Sequence, residues 1–402
     1  MKYLIVLLDG AADEKISSLG DKTPLEAASI ENMDYMAQYG EIGTVSTIPN
    51  GMSPGSDTAN LSVLGYDPKI YHTGRSPLEA ASMGIELTDT DLALRCNLVT
   101  LAGDGDYEKK IIIDHSAGDI ASEEAKELIK SVEEAFGDNT LKFYPGVSYR
   151  HALIIKNGEI EEVLIPPHDI LTREICEYLP KAGSIYRLRE IMKESYDLLS
   201  SHPTNLERVK NGKNPGNSIW LWGQGKKPNL ANFQDKYGVK GSVISAVDLI
   251  KGIGICAGMR AINVPTATGT IDTDYTAKAE AAKAAFMEGD DFVFIHVEAP
   301  DECSHQGDLE GKIKSIEYID GKIVKPLLVF LKETEKEFRI LVLPDHATPI
   351  SLRTHTSSPV PFCLYDSTKS RYNRSNSFTE KAGKLGEHFQ NGYELTDYFF
   401  RK

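Results

Sequence analysis

Three largely apolar stretches of strand length, each followed by an aspartate, constrain this chain most. Tyr3–Leu8 runs into Asp9-Gly10, Phe292–Val297 is followed by Asp301, and Phe338–Leu343 by Asp345. Stretches without apolar/polar alternation suit strands covered on both faces, as in a parallel sheet. Such a sheet gathers its ligands beyond the carboxyl ends of its strands, where these three acids fall.

The surrounding pattern agrees. Helical periodicity is expected over Thr23–Gly40 (Pro24 in its first turn), from Ser56 to near Gly65, and over Arg187–Ser200, Ser242–Lys251, Asp274–Glu288 and Gly311–Glu333. Further strands are expected at Gly43–Ile48, Ser218–Leu221, Ala261–Val264 and Val360–Leu364. Strands alternating with helices indicate an α/β fold with a mainly parallel sheet. From Asp89 to about Pro180 the texture changes. Leu92–Leu101 and Lys110–Ile113 alternate around Gly103-Asp104-Gly105, Ser122–Phe136 is an amphipathic helix, and Thr140–Phe143 and His151–Lys156 read as strands. This is an α+β module large enough to fold as an insert. With 402 residues, two domains are the natural division: a discontinuous core of residues 1–88 and 183–402, and an inserted cap or substrate domain of residues 89–182. Arg187–Ser200 is expected to return the chain to the core.

A net charge of −15 argues against a nucleic-acid partner, which would need a basic face. The five dispersed cysteines lack any CxxC spacing, which fits a reducing, cytoplasmic setting. No apolar stretch is long enough for a membrane span, and the amino-terminal run is too short for a signal peptide before it meets Asp9.

Chemistry concentrates in four places. In PGSDTANLSVL a Pro-Gly turn delivers Ser56 to the start of a helix, an end that attracts anions; alone, Ser56 or Asp57 reads equally as an N-cap. Asp301 and His305 stand four apart, so one helical turn presents both on one side. Asp345-His346 follows a strand, and His355 comes soon after in RTHTSSPVPF. Singly, each is a common cap or a satisfied histidine. Together with Asp9 and Ser56 they supply two mixed oxygen/nitrogen sites, which suit Mn²⁺ or Zn²⁺ over Mg²⁺ or Ca²⁺.

The order Asp9, Ser56, Asp301-x-x-x-His305, Asp345-His346, His355 resembles the alkaline phosphatase superfamily. More narrowly, PGSDTANLSVLGYDP, EAPDECSH, LPDHATP and RTHTSSPVPF resemble the archaeal-type cofactor-independent phosphoglycerate mutases, over nearly the whole chain. That resemblance implies an alkaline-phosphatase-like three-layer core with an inserted cap. It implies two divalent ions, Mn²⁺ or Zn²⁺, about 4 Å apart, one held by Asp9, Ser56, Asp345 and His346, the other by Asp301, His305 and His355. Ser56 is then the nucleophile of an isomerase that takes the phosphoryl group of 3-phosphoglycerate and returns it to the 2-hydroxyl. Cations at motif positions, Arg75, Arg95, Arg150 and Lys240, are candidates for the small phosphorylated acid, with His115 and His151 within possible reach; each also reads as a surface cation.

The chain departs from that pattern in places. Asn60 stands where a histidine is familiar, and Asp114–Asp119 reads DHSAGD where an arginine pair is familiar. Both losses are expected to weaken binding of a doubly anionic substrate. Trp222–Asn229 resembles a subgroup described as proposed homoserine kinases, so the alternative is a phosphotransferase or phosphohydrolase acting on another small phosphorylated metabolite. Two glycine clusters carry no nucleotide chemistry. Gly252-x-Gly254-x-x-x-Gly258 is expected to serve close packing at a helix end, and Gly223-Gln224-Gly225-Lys226-Lys227 lacks Walker spacing and a following Ser/Thr. A catalytically dead scaffold on the same fold is the reading from a different class; a complete set of seven ligand positions speaks against it.

Overall fold

In the computed structural model, residues 1–181, 186–369, 372 and 377–401 are described. Their strands in chain order are β1 Lys2–Leu8, β2 Glu41–Val45, β3 Leu92–Ala102, β4 Ile111–Asp114, β5 Leu141–Tyr144, β6 Arg150–Ile155, β7 Ser218–Lys226, β8 Gly241–Ile244, β9 Arg260–Ile262, β10 Phe292–Val297, β11 Phe338–Leu343, β12 Val360–Asp366 and β13 Glu387–Phe389. The chain forms two compact units, Met1–His72 with Asn229–Lys402, and Thr73–Pro228.

Unit 1 is a mixed α/β body on an eight-stranded sheet in the order β13-β2-β12-β11-β1-β10-β8-β9. Only the pairings of β12 with β11 and with β2 are antiparallel. β1 is central and its alternate residues face opposite layers. Leu4, Val6 and Leu8 join a core with Met33, Ala282, Ile316 and Leu327 from helices on one face. On the other face Tyr3 packs on Phe399 and Phe400 of the carboxyl-terminal helix Gly392–Phe400, and Phe400 in turn packs on Phe292 and Phe233. Burial on both sides explains why these strands are apolar throughout. In register, Leu8 pairs with Val297 and Leu7 with Leu343. The carboxyl ends of β1, β10 and β11 therefore lie side by side.

Several elements differ from expectation. Thr23–Gly40 is two helices, Pro24–Ala27 and Glu31–Tyr39. The second starts at Ile30 without a side-chain cap of its own, and the buried Asp320 accepts the N–H groups of Asn32 and Met33 instead. Ser242–Lys251 is not one helix: its first residues belong to β8, and the helix is Asp248–Cys256. Four buried residues directly followed by another apolar run leave strand and helix indistinguishable by period. Within that helix a Cβ on Gly254 would come 2.6 Å from Val243, so this glycine serves close packing of helix on sheet.

Unit 2 is α+β. β3 is central, antiparallel to β6 and β7, and β4 and β5 extend the sheet. Leu94, Cys96 and Leu98 of β3 share a core with Ile129 of the helix Ser122–Phe136 and Met192 of the helix Leu188–Ser200. The unit extends past both ends expected for the insert, 89 and 182, and residue 182 itself lies outside the described residues. The cause is β7, which pairs with β3 from Leu92↔Lys226 to Val99↔Ser218. The helix Ser76–Ser82 packs on both of these strands, and the helix Leu188–Ser200 packs on β7. Leu188–Ser200 thus belongs to unit 2 rather than returning the chain to unit 1. Among the described residues no helix is long and apolar enough to cross a membrane.

Candidate metal centre

The loops after β1, β10 and β11 hold the acids that the sequence placed beyond strand ends. Asp9 follows β1 directly; Asp301 and His305 lie one turn apart in the helix Ala299–Gln306; Asp345 and His346 follow β11. Ser56 opens the helix Ser56–Val63. Two groups of ligand atoms result, Asp9/Asp345/His346 and Asp301/His346/His355, with atoms within 4.8 Å of one another in each. His346 Nε2 lies 3.3 Å from Ser56 Oγ, 3.4 Å from Asp9 Oδ1 and 3.4 Å from Asp345 Oδ2. Around Asp301, His305 Nε2 is 3.1 Å from Oδ2 and His355 Nε2 is 3.5 Å from Oδ1, and the two ring nitrogens stand 3.0 Å apart. All seven candidate ligand positions, Ser56 among them, converge.

The hydrogen bonds behind this cluster fix which atoms face it. His305 Nδ1 donates to the Arg353 carbonyl at 2.9 Å, leaving the Nε2 lone pair inward. Thr348 Oγ1 donates to Asp301 Oδ1 and so accepts from His346 Nδ1 at 3.2 Å, which again turns Nε2 inward. Asp345 Oδ1 accepts from the backbone N–H of Gly10 and His346. Among the described residues, the buried Asp9 Oδ1 has no hydrogen-bond partner. A buried carboxylate oxygen without a donor, beside inward imidazole lone pairs, is the chemistry of a divalent cation site. Gly10 is required here: its φ is +63°, and a Cβ would sit 2.4 Å from Asp301 Oδ1.

Electrostatics agree with crowded negative charge. Burial, then the charges of Asp345 and Asp301, push Asp9 well above the usual carboxylate range. Burial works against the Asp301 carboxylate as well, yet hydrogen bonds from His305 and His355 hold it well below that range. The Asp301 hydrogen bond pushes His305 up to about 9. At neutral pH metal-free His305 therefore carries a proton that a cation must displace. Metal affinity is expected to rise with pH by up to about tenfold per unit until roughly pH 9, then level off. Mn²⁺ titrations in buffers of different ionisation enthalpy would read the released proton.

A buried ion pair stiffens the two main loops. Lys312 Nζ donates to Asp13 Oδ2 at 2.8 Å, to the Thr348 carbonyl at 2.9 Å and to the Ala12 carbonyl at 3.5 Å. It thus ties the loop after β1 to the loop after β11. Lys312→Met strands the Asp13 carboxylate and is expected to destabilise unit 1 by about 3–5 kcal/mol. Combining it with Asp13→Leu should recover most of that loss in a denaturant midpoint.

The proposed substrate cations divide. Lys240 is not brought to the cluster. It precedes β8 at the amino end of the sheet, opposite the ligands, and pairs with Asp290 at 3.0 Å. Because Gly241–Ile244 is strand and not helix, Lys240 falls at the amino end. Within unit 2, Arg95 and Arg75 both reach Glu79, at 2.9 and 3.4 Å, and the Arg95 guanidinium lies over Trp222. Arg150 lies over Tyr149, whose ring also meets His115. His151 is buried, accepts the Gly146 N–H, and is pushed down to about 3 by burial. It therefore supports a turn.

Four polar side chains near the cluster support it in ways the sequence pattern does not record. Thr348 is one. Asn60 is fully buried, and its Nδ2 donates to the Ser56 carbonyl and to Asp345 Oδ2. The departure from histidine at this position thus concerns support of a ligand, not a lost substrate cation. His72 is held by Asp57, the residue after Ser56, at 3.0 Å. His296 lies inside β10 against Asp9; an imidazole in an otherwise apolar buried strand was the available signal.

Comparison with known proteins shows which chains this one is similar to. The family model for 2,3-bisphosphoglycerate-independent phosphoglycerate mutase matches residues 37–205. The chain is 49% identical over 389 residues to the Methanosarcina barkeri protein of that name, covering 96% of each chain. It is 47% identical over 398 residues to the probable enzyme of Geobacter sulfurreducens, covering 99% of each. Among solved structures, the cofactor-independent phosphoglycerate mutase of Thermoplasma acidophilum is 27% identical, with a TM-score of 0.64 over 99% of this chain and 98% of the other. A Pyrococcus horikoshii protein is 28% identical, with a TM-score of 0.82 over 99% and 96%.

Proposed function

We propose, since the chain belongs to the 2,3-bisphosphoglycerate-independent phosphoglycerate mutase family, that it is a metal-dependent isomerase interconverting 3-phosphoglycerate and 2-phosphoglycerate through phosphorylated Ser56. The observation that carries this reading is Ser56 Oγ at 3.3 Å from His346 Nε2, inside a convergent set of three aspartates and three histidines. Asp9, Ser56, Asp345 and His346 would hold one divalent ion, and Asp301, His305 and His355 a second; the mixed oxygen/nitrogen set favours Mn²⁺ or Zn²⁺. Bound there, the ions supply Lewis acidity that lowers the serine hydroxyl pKa and offsets charge on the phosphoryl oxygens.

The residues divide the remaining work. Ser56 Oγ forms the new P–O bond as the bond to the substrate 3-oxygen breaks, and the reverse displacement delivers the group to the 2-hydroxyl. The positive end of the helix Ser56–Val63 stabilises negative charge at Ser56. Arg75, Arg95, Arg150 and His115 are the proposed ligands of the substrate's phosphate and carboxylate. A kinase reading is not favoured: relatives at 47–49% identity bear the mutase name. Trp222–Lys226 also belongs to strand β7, not to a phosphate-binding loop.

Incubating the purified protein with Mn²⁺ and 3-phosphoglycerate, with enolase following 2-phosphoglycerate, tests the assignment. Steady product formation is expected; no 2-phosphoglycerate with either Mn²⁺ or Zn²⁺ overturns it.

A further inference from the structure

His296 has no part in the chemistry above, yet its hydrogen bonds run in one direction toward the cluster. The residue is fully buried in β10. Its Nδ1 lies 3.1 Å from Ser245 Oγ, just beyond the carboxyl end of β8, and its Nε2 lies 2.8 Å from Asp9 Oδ2. The Val247 N–H donates to the same Ser245 oxygen at 2.9 Å. With one lone pair taken by that amide, the serine hydroxyl proton is free to point at Nδ1. The ring then carries its proton on Nε2 and donates it to Asp9 Oδ2. The backbone beneath is held too, since Lys278 Nζ donates to the His296 carbonyl at 3.1 Å. This leaves Asp9 with its oxygens divided: Oδ2 is tied to His296, and Oδ1 is buried, without a hydrogen-bond partner among the described residues, and 3.4 Å from His346 Nε2.

We propose that His296, oriented by Ser245, is a positioning residue that holds the Asp9 carboxylate so that Oδ1 alone is presented to a divalent ion. The proposal rests on reading the cluster as a metal centre. A merely space-filling histidine would have no need of a directional relay on both ring nitrogens. An outer partner of this kind typically changes metal affinity about 10–100-fold when removed.

The test is Mn²⁺ binding to chelator-treated full-length protein, followed by the electron paramagnetic resonance signal of free Mn²⁺. Wild type is expected to bind two ions. In His296→Leu one of them should weaken about 10–100-fold while the other, on Asp301, His305 and His355, keeps its affinity. His296→Gln, which can still donate to Asp9, should recover part of the loss, and Ser245→Ala should fall between wild type and His296→Leu. Two unaltered sites in a folded His296→Leu protein overturn the proposal. If that variant does not fold, unaltered affinity in Ser245→Ala does so. Wild-type protein that binds no Mn²⁺ overturns the metal-centre reading as well, which separates the two failures.

Discussion

Ser56→Ala is expected to lower turnover of 3-phosphoglycerate at least about a thousandfold while leaving divalent-metal content close to wild type. The size follows from the role. Removing a nucleophile takes away the covalent route itself, and the residues around it cannot substitute. Metal content should persist because Asp9, Asp345 and His346 remain as three ligands in a buried pocket whose donors do not depend on the serine hydroxyl. The fold should persist as well, since Asn60 Nδ2 bonds the backbone carbonyl of residue 56, not its side chain. The enolase-coupled rate and metal analysis on the same preparation provide the check. A residual rate above about one tenth of wild type would remove Ser56 from the mechanism. Phosphate recovered on Ser56 after brief exposure of wild type to substrate would place the intermediate there.

The part of this site that could be read from residues alone is the part written in strand burial and short spacing. β1, β10 and β11 are buried on both faces, so Tyr3–Leu8 and its counterparts are apolar at nearly every position and each acid marks a carboxyl end. Asp301 and His305 share a helical face by their spacing. Two of the supports did not show, because they reach their partners across the fold: Asn60 and Asp345 are 285 residues apart, and His296 and Asp9 are 287 apart. No local pattern records such a pair. Lys240 failed for a different reason. Once Gly241–Ile244 merges with the following helix, the chain direction at that strand is lost, and a cation at the amino end of the sheet is assigned to the wrong side. The same loss of a strand affected β7, whose Trp-Gly-Gln-Gly segment looks like a loop by composition. Gly225 is there because a Cβ would meet the Thr73 carbonyl at 2.2 Å, and pairing to β3 moves the domain boundary to residue 228.

Asp345→Asn should produce opposite effects on activity and on metal-free stability, and that inversion is its diagnostic. Oδ1 accepts the N–H groups of Gly10 and His346, and Oδ2 accepts from Asn60. An asparagine can keep its oxygen toward the two backbone donors only by turning its own amide toward the amide of Asn60. A ligand oxygen becomes a donor, and turnover should fall at least about a hundredfold with loss of one bound ion. In the metal-free protein the same change removes a negative charge that, after burial, is the largest factor pushing the Asp9 carboxyl up. A carboxyl raised in the folded state adds stability that is present at pH below its unfolded value and is lost as pH rises through the folded one. The Asp9 contribution to metal-free wild type therefore grows as pH falls toward the ordinary carboxylate range, against the buried imidazoles of His151, His296 and His346, whose lowered values favour higher pH. Asp345→Asn should diminish the Asp9 contribution and melt at a higher temperature than wild type near neutral pH. Thermal midpoints in chelator and in excess Mn²⁺ decide the matter. If the variant is less stable than wild type under both conditions, Asp345 acts as an ordinary structural acceptor, and the charge crowding inferred around Asp9 is not the force that the bound ion relieves.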